Sequence, residues 1–194
     1  MDVKRLAALA MAAAALTAAC GSDDDGDATA ADPTTTADAA AHNDADVTFA
    51  QGMIPHHQQA VEMAALAADR AESEDVKDLA ARIEAAQDPE IETMTGWLEE
   101  WDESTEGGDG MDSMEMSEMG GMMSDEDMTA LEDAEGAAFD EQFLEMMAEH
   151  HRGAIEMAET ELEDGEFPDA LELAQEIVDT QTAEIAEIEE LLAS

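Results

Sequence analysis

The chain has 194 residues, enough for one domain with its own core and too few for two independent ones. Its 52 acidic residues against 6 basic ones leave a formal charge of −46, which excludes nucleic acid as a partner and repels anionic lipid headgroups. With Cys20 the only cysteine, neither an intrachain disulfide nor a thiolate cluster can form, so a metal site must draw on His, Met, Asp or Glu.

Lys4 and Arg5 precede an apolar run from Leu6 to Ala19 that ends in small residues. The order basic, apolar, small predicts a secretory signal over residues 1–19. The run is too short for a bilayer-spanning helix. Leu16-Thr17-Ala18-Ala19-Cys20 resembles a bacterial lipobox, which makes Cys20 the lipidation site; a leucine one position later would fit better, and plain secretion is the alternative. The expected location is the outer face of the cell membrane, facing the periplasm or the exterior, with a lipid anchor as the sole membrane contact. Residues 20–45 are rich in Asp, Ala and Thr, with Pro33, and read as a disordered acidic tether in which His42 has either no role or that of a weak auxiliary ligand.

Residues 46–194 are dominated by Ala, Glu, Met and Leu, good helix formers with little β-branched alternation. The pattern predicts one hairpin over 46–101, from helices at about 46–72 and 74–101, with Ser73 as N-cap and Pro89 kinking or interrupting the second. Residues 103–124, with five glycines, are expected to be a Met-rich loop. Ser124-x-x-Asp127 opens a helical stretch to about Asp164, Gly165 and Pro168 mark a turn, and a last helix covers about 169–193, giving a second hairpin within 125–194.

A repeat runs through both hairpins at a constant offset of 94 residues. Asp46, Phe49, Met53, His56, His57, Ala60, Glu62, Met63 and Ala64 return as Asp140, Phe143, Met147, His150, His151, Ala154, Glu156, Met157 and Ala158. Leu79, Ala80, Ile83, Gln87, Glu90, Ile91 and Leu98 return as Leu173, Ala174, Ile177, Gln181, Glu184, Ile185 and Leu192. So many matches at one offset are not coincidence. Two tandem hairpins bury both apolar stripes most economically as an all-α, ferritin-like four-helix bundle with a pseudo-twofold axis.

On an ideal helix with Met53 at 0°, His56 falls at about 300°, Met63 at about 280°, His57 at about 40° and Glu62 at about 180°. Met53, His56 and Met63 then share an inward face, as do Met147, His150 and Met157; His57 and His151 fall at its edge, and Glu62 and Glu156 point away. Facing halves would bring two imidazoles and four thioethers together. Imidazole serves many transition metals, while thioether is soft and selects copper(I) or silver(I). Di-iron bundles use Glu-x-x-His; here Met53 and Met147 occupy the position three before the first histidine. Core packing by methionine and a hydrogen-bonded histidine pair is the competing account.

Met111, Met114, Met116, Met119, Met122, Met123 and Met128 place seven of the fifteen methionines within eighteen residues. In a solvated loop they would have no core to fill, which favours auxiliary metal capture over packing. Their spacing resembles the methionine motifs of extracytoplasmic copper carriers. Low-complexity drift and oxidant scavenging are the alternatives.

Met53-Ile54-Pro55-His56-His57, followed by Ala60-Val61-Glu62-Met63-Ala64 and echoed from Met147 to Ala158, resembles the bacterial domain-of-unknown-function-305 family over about residues 44–193. The resemblance implies a ferritin-like four-helix bundle and, through the family's CopM-type members, an extracytoplasmic copper-binding protein linked to copper resistance. It implies Met53, His56, His57, Met63, Met147, His150, His151 and Met157 as ligands. One departure is Glu149 where the first copy has Pro55, so the half-sites are expected to differ. The expected activity is non-enzymatic sequestration or carriage of copper(I), with silver(I) as congener, copper(II) as a second oxidation state and a copper-transport protein as partner. A ferritin-like metal oxidase and a metal-free structural module are the alternatives. Binding through histidine is expected to weaken below about pH 6, whereas thioethers do not titrate.

Overall fold

The computed structural model describes residues 41–105 and 120–194. The signal sequence, Cys20, most of the tether and Met111, Met114, Met116 and Met119 lie outside the described residues. Among the described residues five helices form: α1 (Asp44–Arg70), α2 (Glu74–Glu100), α3 (Asp125–Asp133), α4 (Ala137–Asp164) and α5 (Pro168–Leu192). The four long ones make the bundle. α1 packs along α2, α4 along α5, and the hairpins meet chiefly through α1 against α4.

Local chemistry sets the helix ends. Asn43 Oδ1 accepts from the Ala45 and Asp46 amides at 2.7 and 3.2 Å, and Asp46 reaches back to the Asn43 amide at 2.6 Å. This capping box starts α1 at Asp44, inside the segment read as tether. Ser124 and Asp127 form the expected second box. The helix they open ends at Asp133 instead of running to Asp164. Gly136 adopts φ 63, a left-handed conformation that cannot continue a helix, and donates its N–H to Arg70 O at 2.8 Å. Ser73 does stand at the N-cap of α2, but its side chain makes no capping bond. Pro89 does not interrupt α2: a proline removes one backbone bond, while buried Leu79, Ile83, Met94 and Leu98 hold the helix on both sides of it.

Two aspartates related by the repeat clasp the hairpins together. Asp46, on α1, accepts from the Glu166 and Phe167 amides in the α4–α5 turn at 3.1 and 2.9 Å. Asp140, on α4, accepts from the Glu72 and Ser73 amides in the α1–α2 turn at 3.1 and 2.9 Å. All these partners are also 94 residues apart, so the internal symmetry extends to hydrogen bonds. The core obeys it too. Phe143, Met147, Leu79, Ile83, Ala60 and Ile188 lie in one apolar cluster; their repeat mates Phe49, Met53, Leu173, Ile177, Ala154 and Met94 lie in the other. On α1 and α4 the histidines fall between the two clusters.

One buried position breaks the symmetry. Ala67 is fully buried, and its repeat mate is Glu161, 1% exposed. Burial, reinforced by the hydrogen bond and charge of neighbouring Asp46, pushes the Glu161 carboxyl up to about 8. Burial acts to raise Asp46 as well, but hydrogen bonds, among them backbone ones from Asn43, Phe167 and Glu166, hold it below its ordinary value. The folded state therefore binds an extra proton at Glu161 between the ordinary value of 4.5 and about 8, and stability contributed by this site falls as pH rises through that window. Glu161→Ala, which installs the repeat's own residue, should raise Tm by a few degrees at pH 8. The difference from wild type should shrink steadily toward pH 4.5 in a calorimetric pH series; a constant difference would contradict the buried-acid assignment.

Candidate metal centre

α1 and α4 cross at their histidines. The His56 and His150 rings lie 3.9 Å apart between centroids, tilted by 45°. His56, His57 and His151 are 0% exposed and His150 is 1% exposed. His57 Nε2–H donates to Glu90 on α2 at 2.6 Å, and His151 Nε2–H donates to Glu184 on α5 at 2.8 Å. The helical projection put His57 and His151 at the stripe's edge. The structure buries them because that edge is where each helix packs on its own hairpin partner, a second interface that a single stripe ignores. Glu62 and Glu156 are exposed, as projected. The inward carboxylates come instead from Glu90 and Glu184, which the sequence reading left without a role although they recur in the repeat. Gln87 and Gln181, one turn earlier, are buried too, and among the described residues Gln87 Nε2 and Oε1 and Gln181 Oε1 have no partner.

The end of the Met-rich loop is seated directly on this crossing. His56 Nε2–H donates to Gly120 O at 3.1 Å. Gln59 grips the same segment, accepting from the Met123 amide at 2.7 Å and donating to its carbonyl at 2.9 Å. The repeat mate of Gln59 is Gly153, where a Cβ would overlap the Gly120 carbonyl. Only glycine there lets the loop backbone lie against α4. The half-sites therefore differ through Gln59 and Gly153 and through the Gly120 bond. Pro55 sits in an uninterrupted α1, and Glu149 is an exposed partner of Arg152 at 3.2 Å.

The ring nitrogens are incompletely matched. His56 Nδ1, His57 Nδ1, His151 Nδ1 and both nitrogens of His150 are buried with no hydrogen-bond partner among the described residues. Desolvation lowers His56 to about 4 against the Gly120 bond, with the charges of His57 and His151 adding to the fall. His150 is driven well below its ordinary value by desolvation and then by the charges of His56, His151 and His57. A neutral imidazole with an unmatched nitrogen, in a site that resists protonation, is a preformed Lewis base.

The methionines flank the histidines instead of converging. Met53 belongs to one apolar cluster, with half-buried Met157 packed against it. Met63 and Met147 belong to the other. Antiparallel crossing sends +7 of one helix toward the far end of its partner, so four thioethers do not meet at one point. Among the described residues no three His, Cys, Asp or Glu side chains already surround a common point. Met122 in the loop is buried, while Met123 beside it and Met128 in α3 pack against the core. The argument that loop methionines have no core to fill fails for these three. His42 stacks on Trp101 at 4.3 Å between ring centroids.

Because the folded protein binds fewer protons at His56 than the unfolded chain between pH 6.5 and about 4, stability falls as pH drops through that window. In metal-free protein, 15N shifts of histidine should report His56 neutral at pH 5.5 and protonating near pH 4; titration near 6.5 would contradict its burial. Gly153→Ala should destabilise the fold by about 1–3 kcal/mol in denaturant titrations and shift the His56 ring resonances as Gly120 is displaced.

A search of curated proteins finds no match. The family model for "Domain of unknown function (DUF305)" matches residues 46–192. A solved structure from Streptomyces coelicolor, described as a secreted DUF305 protein, is 37% identical, with a TM-score of 0.71 over 77% of this chain and 92% of its own. A DUF305 fragment from Deinococcus radiodurans is 32% identical, with a TM-score of 0.70 over 78% and 97%. CopM in its Cu(I)-bound form is 30% identical, with a TM-score of 0.63 over 75% and 94%, and it is also solved in Cu(II)-bound and Ag-bound forms. With the family model spanning its whole helical domain and the fold and sequence shared with these proteins, the chain belongs to the DUF305 family.

Proposed function

We propose that this protein binds copper(I) or silver(I) outside the cytoplasm, sequestering or carrying the ion without catalysing a reaction on it. The observation that carries the reading is the set of four buried imidazoles on α1 and α4, with His56 and His150 paired at the crossing and ring nitrogens that have no hydrogen-bond partner among the described residues. Neutral nitrogen ligands bordered by Met53 and Met147 suit a soft or borderline cation. Relatives about 30% identical, solved with Cu and Ag, support the same choice. His56, His57, His150 and His151 are the principal ligands; Met53, Met63, Met147 and Met157 enter as the helices adjust, and Met111, Met114, Met116 and Met119 assist from the loop. Cys20 carries the lipid that holds the exported protein at the membrane, and a copper-transport protein receives the ion.

Glu90 and Glu184 favour one second reading. They supply the inward carboxylates that a ferritin-like metal oxidase requires, and hard oxygen beside imidazole also accommodates copper(II).

Anaerobic copper(I) titration against a competing chelator separates the readings. Stoichiometric binding, lost in the His56→Ala/His150→Ala double variant, is the expected result. Iron loading with oxygen consumption would favour the oxidase, and binding of neither metal would remove both. Proton competition at His56 begins near pH 4, so the share of affinity that His56 supplies should hold down to about pH 5 instead of weakening below 6.

A further inference from the structure

A hydrogen-bond acceptor placed against one nitrogen of an imidazole dictates which nitrogen is left to bind. The Glu90 and Glu184 carboxylates and the Gly120 carbonyl can only accept, and each faces an Nε2 atom: His57 at 2.6 Å, His151 at 2.8 Å and His56 at 3.1 Å. In all three rings the hydrogen therefore resides on Nε2, and the buried atom without a partner among the described residues is Nδ1. Among the described residues neither nitrogen of His150 has a hydrogen-bond partner within geometric reach. The carboxylates come from α2 and α5, outside the two helices that carry the Met-x-x-His-His motifs, and both are well covered, at 20% and 10% side-chain exposure. A carboxylate in that position holds the ring's orientation and raises the basicity of its far nitrogen.

Resting on the copper- and silver-binding reading, we infer that each of His56, His57 and His151 that takes an ion does so through Nδ1, and that Glu90, Glu184 and the Gly120 carbonyl are the positioning groups that impose this choice. The two glutamates do not touch the ion. They explain why the repeat extends into the second helix of each hairpin as far as Glu90 and Glu184: each copy brings its own histidine and the acceptor that orients it. The outer acceptors also separate the half-sites, because among the described residues the Gly120 carbonyl holds His56 and not its repeat mate His150.

Silver(I) has spin-½ nuclei, and a bound 109Ag ion splits the resonance of the 15N atom it contacts. The test uses the mature protein with 15N-labelled histidine. The metal-free protein should show Nε2–H tautomers at His57 and His151, and silver should couple to Nδ1. In the Glu90→Leu/Glu184→Leu variant the tautomers should mix and silver affinity should fall by about 10- to 100-fold, with helix content by circular dichroism unchanged. Glu90→Gln/Glu184→Gln, whose amide oxygen still accepts, keeps the polar contact should the leucines disturb the fold, and should restore most of the affinity and the tautomer. Coupling to Nε2, or wild-type tautomers and silver affinity in the leucine variant, overturns the inference and leaves metal binding standing. No bound silver in the wild-type protein overturns both.

Discussion

The reciprocal seating of Asp46 and Asp140 on backbone amides of the opposite hairpin's turn sets the register in which α1 lies against α4. Each carboxylate satisfies two amide donors at a helix start, where backbone N–H groups have no partners within the helix. A helix that slid by one turn along its neighbour would leave those donors and a buried carboxylate unmatched. The register in turn puts His56 over His150, and the two apolar clusters close on either side of the crossing.

Four histidines, two glutamates and two glutamines between those clusters are a costly way to build the middle of a bundle. Buried polar groups without partners lower stability, and here they accumulate where the helices cross. Two sound apolar halves, each containing a Phe, a Met and aliphatic residues related by the repeat, offset that cost. Such local inconsistency inside a well-packed fold marks a functional site more often than an accident. The Gly153–Gly120 contact adds a further departure from symmetry, because the loop end hydrogen-bonds to α1 at His56 and Gln59 but only rests against α4 at Gly153.

Much of the architecture was legible in the chain. The 94-residue offset and the helical periodicity implied two hairpins, and the Ser124 box and the turn at Gly165 and Pro168 appear where expected. The helix boundaries that differed did so for local reasons: Asn43 starts α1 earlier, and Gly136 divides a run that composition alone reads as continuous. The site was half legible. His56 and His150 were correctly placed inward, and Glu62 and Glu156 outward. His57 and His151 were misjudged because a helical wheel with one apolar stripe cannot represent a helix packed on two neighbours at once. Met157 and Met63 parted company because neighbouring positions on antiparallel helices diverge along the bundle axis.

The sequence by itself determined the fold class, the duplication and the residue types available for chemistry, because periodicity and repetition are properties of a chain read along its length. Only the tertiary structure decided which carboxylates face the histidines, which ring nitrogens are left without a partner among the described residues, and that Gly120 rests on His56. Those are relations between α1 and α2, between α4 and α5, and between a loop and a helix, at sequence separations of 33 and 64 residues. No spacing rule spans such distances, since folding and not chain continuity brings these atoms within hydrogen-bond reach.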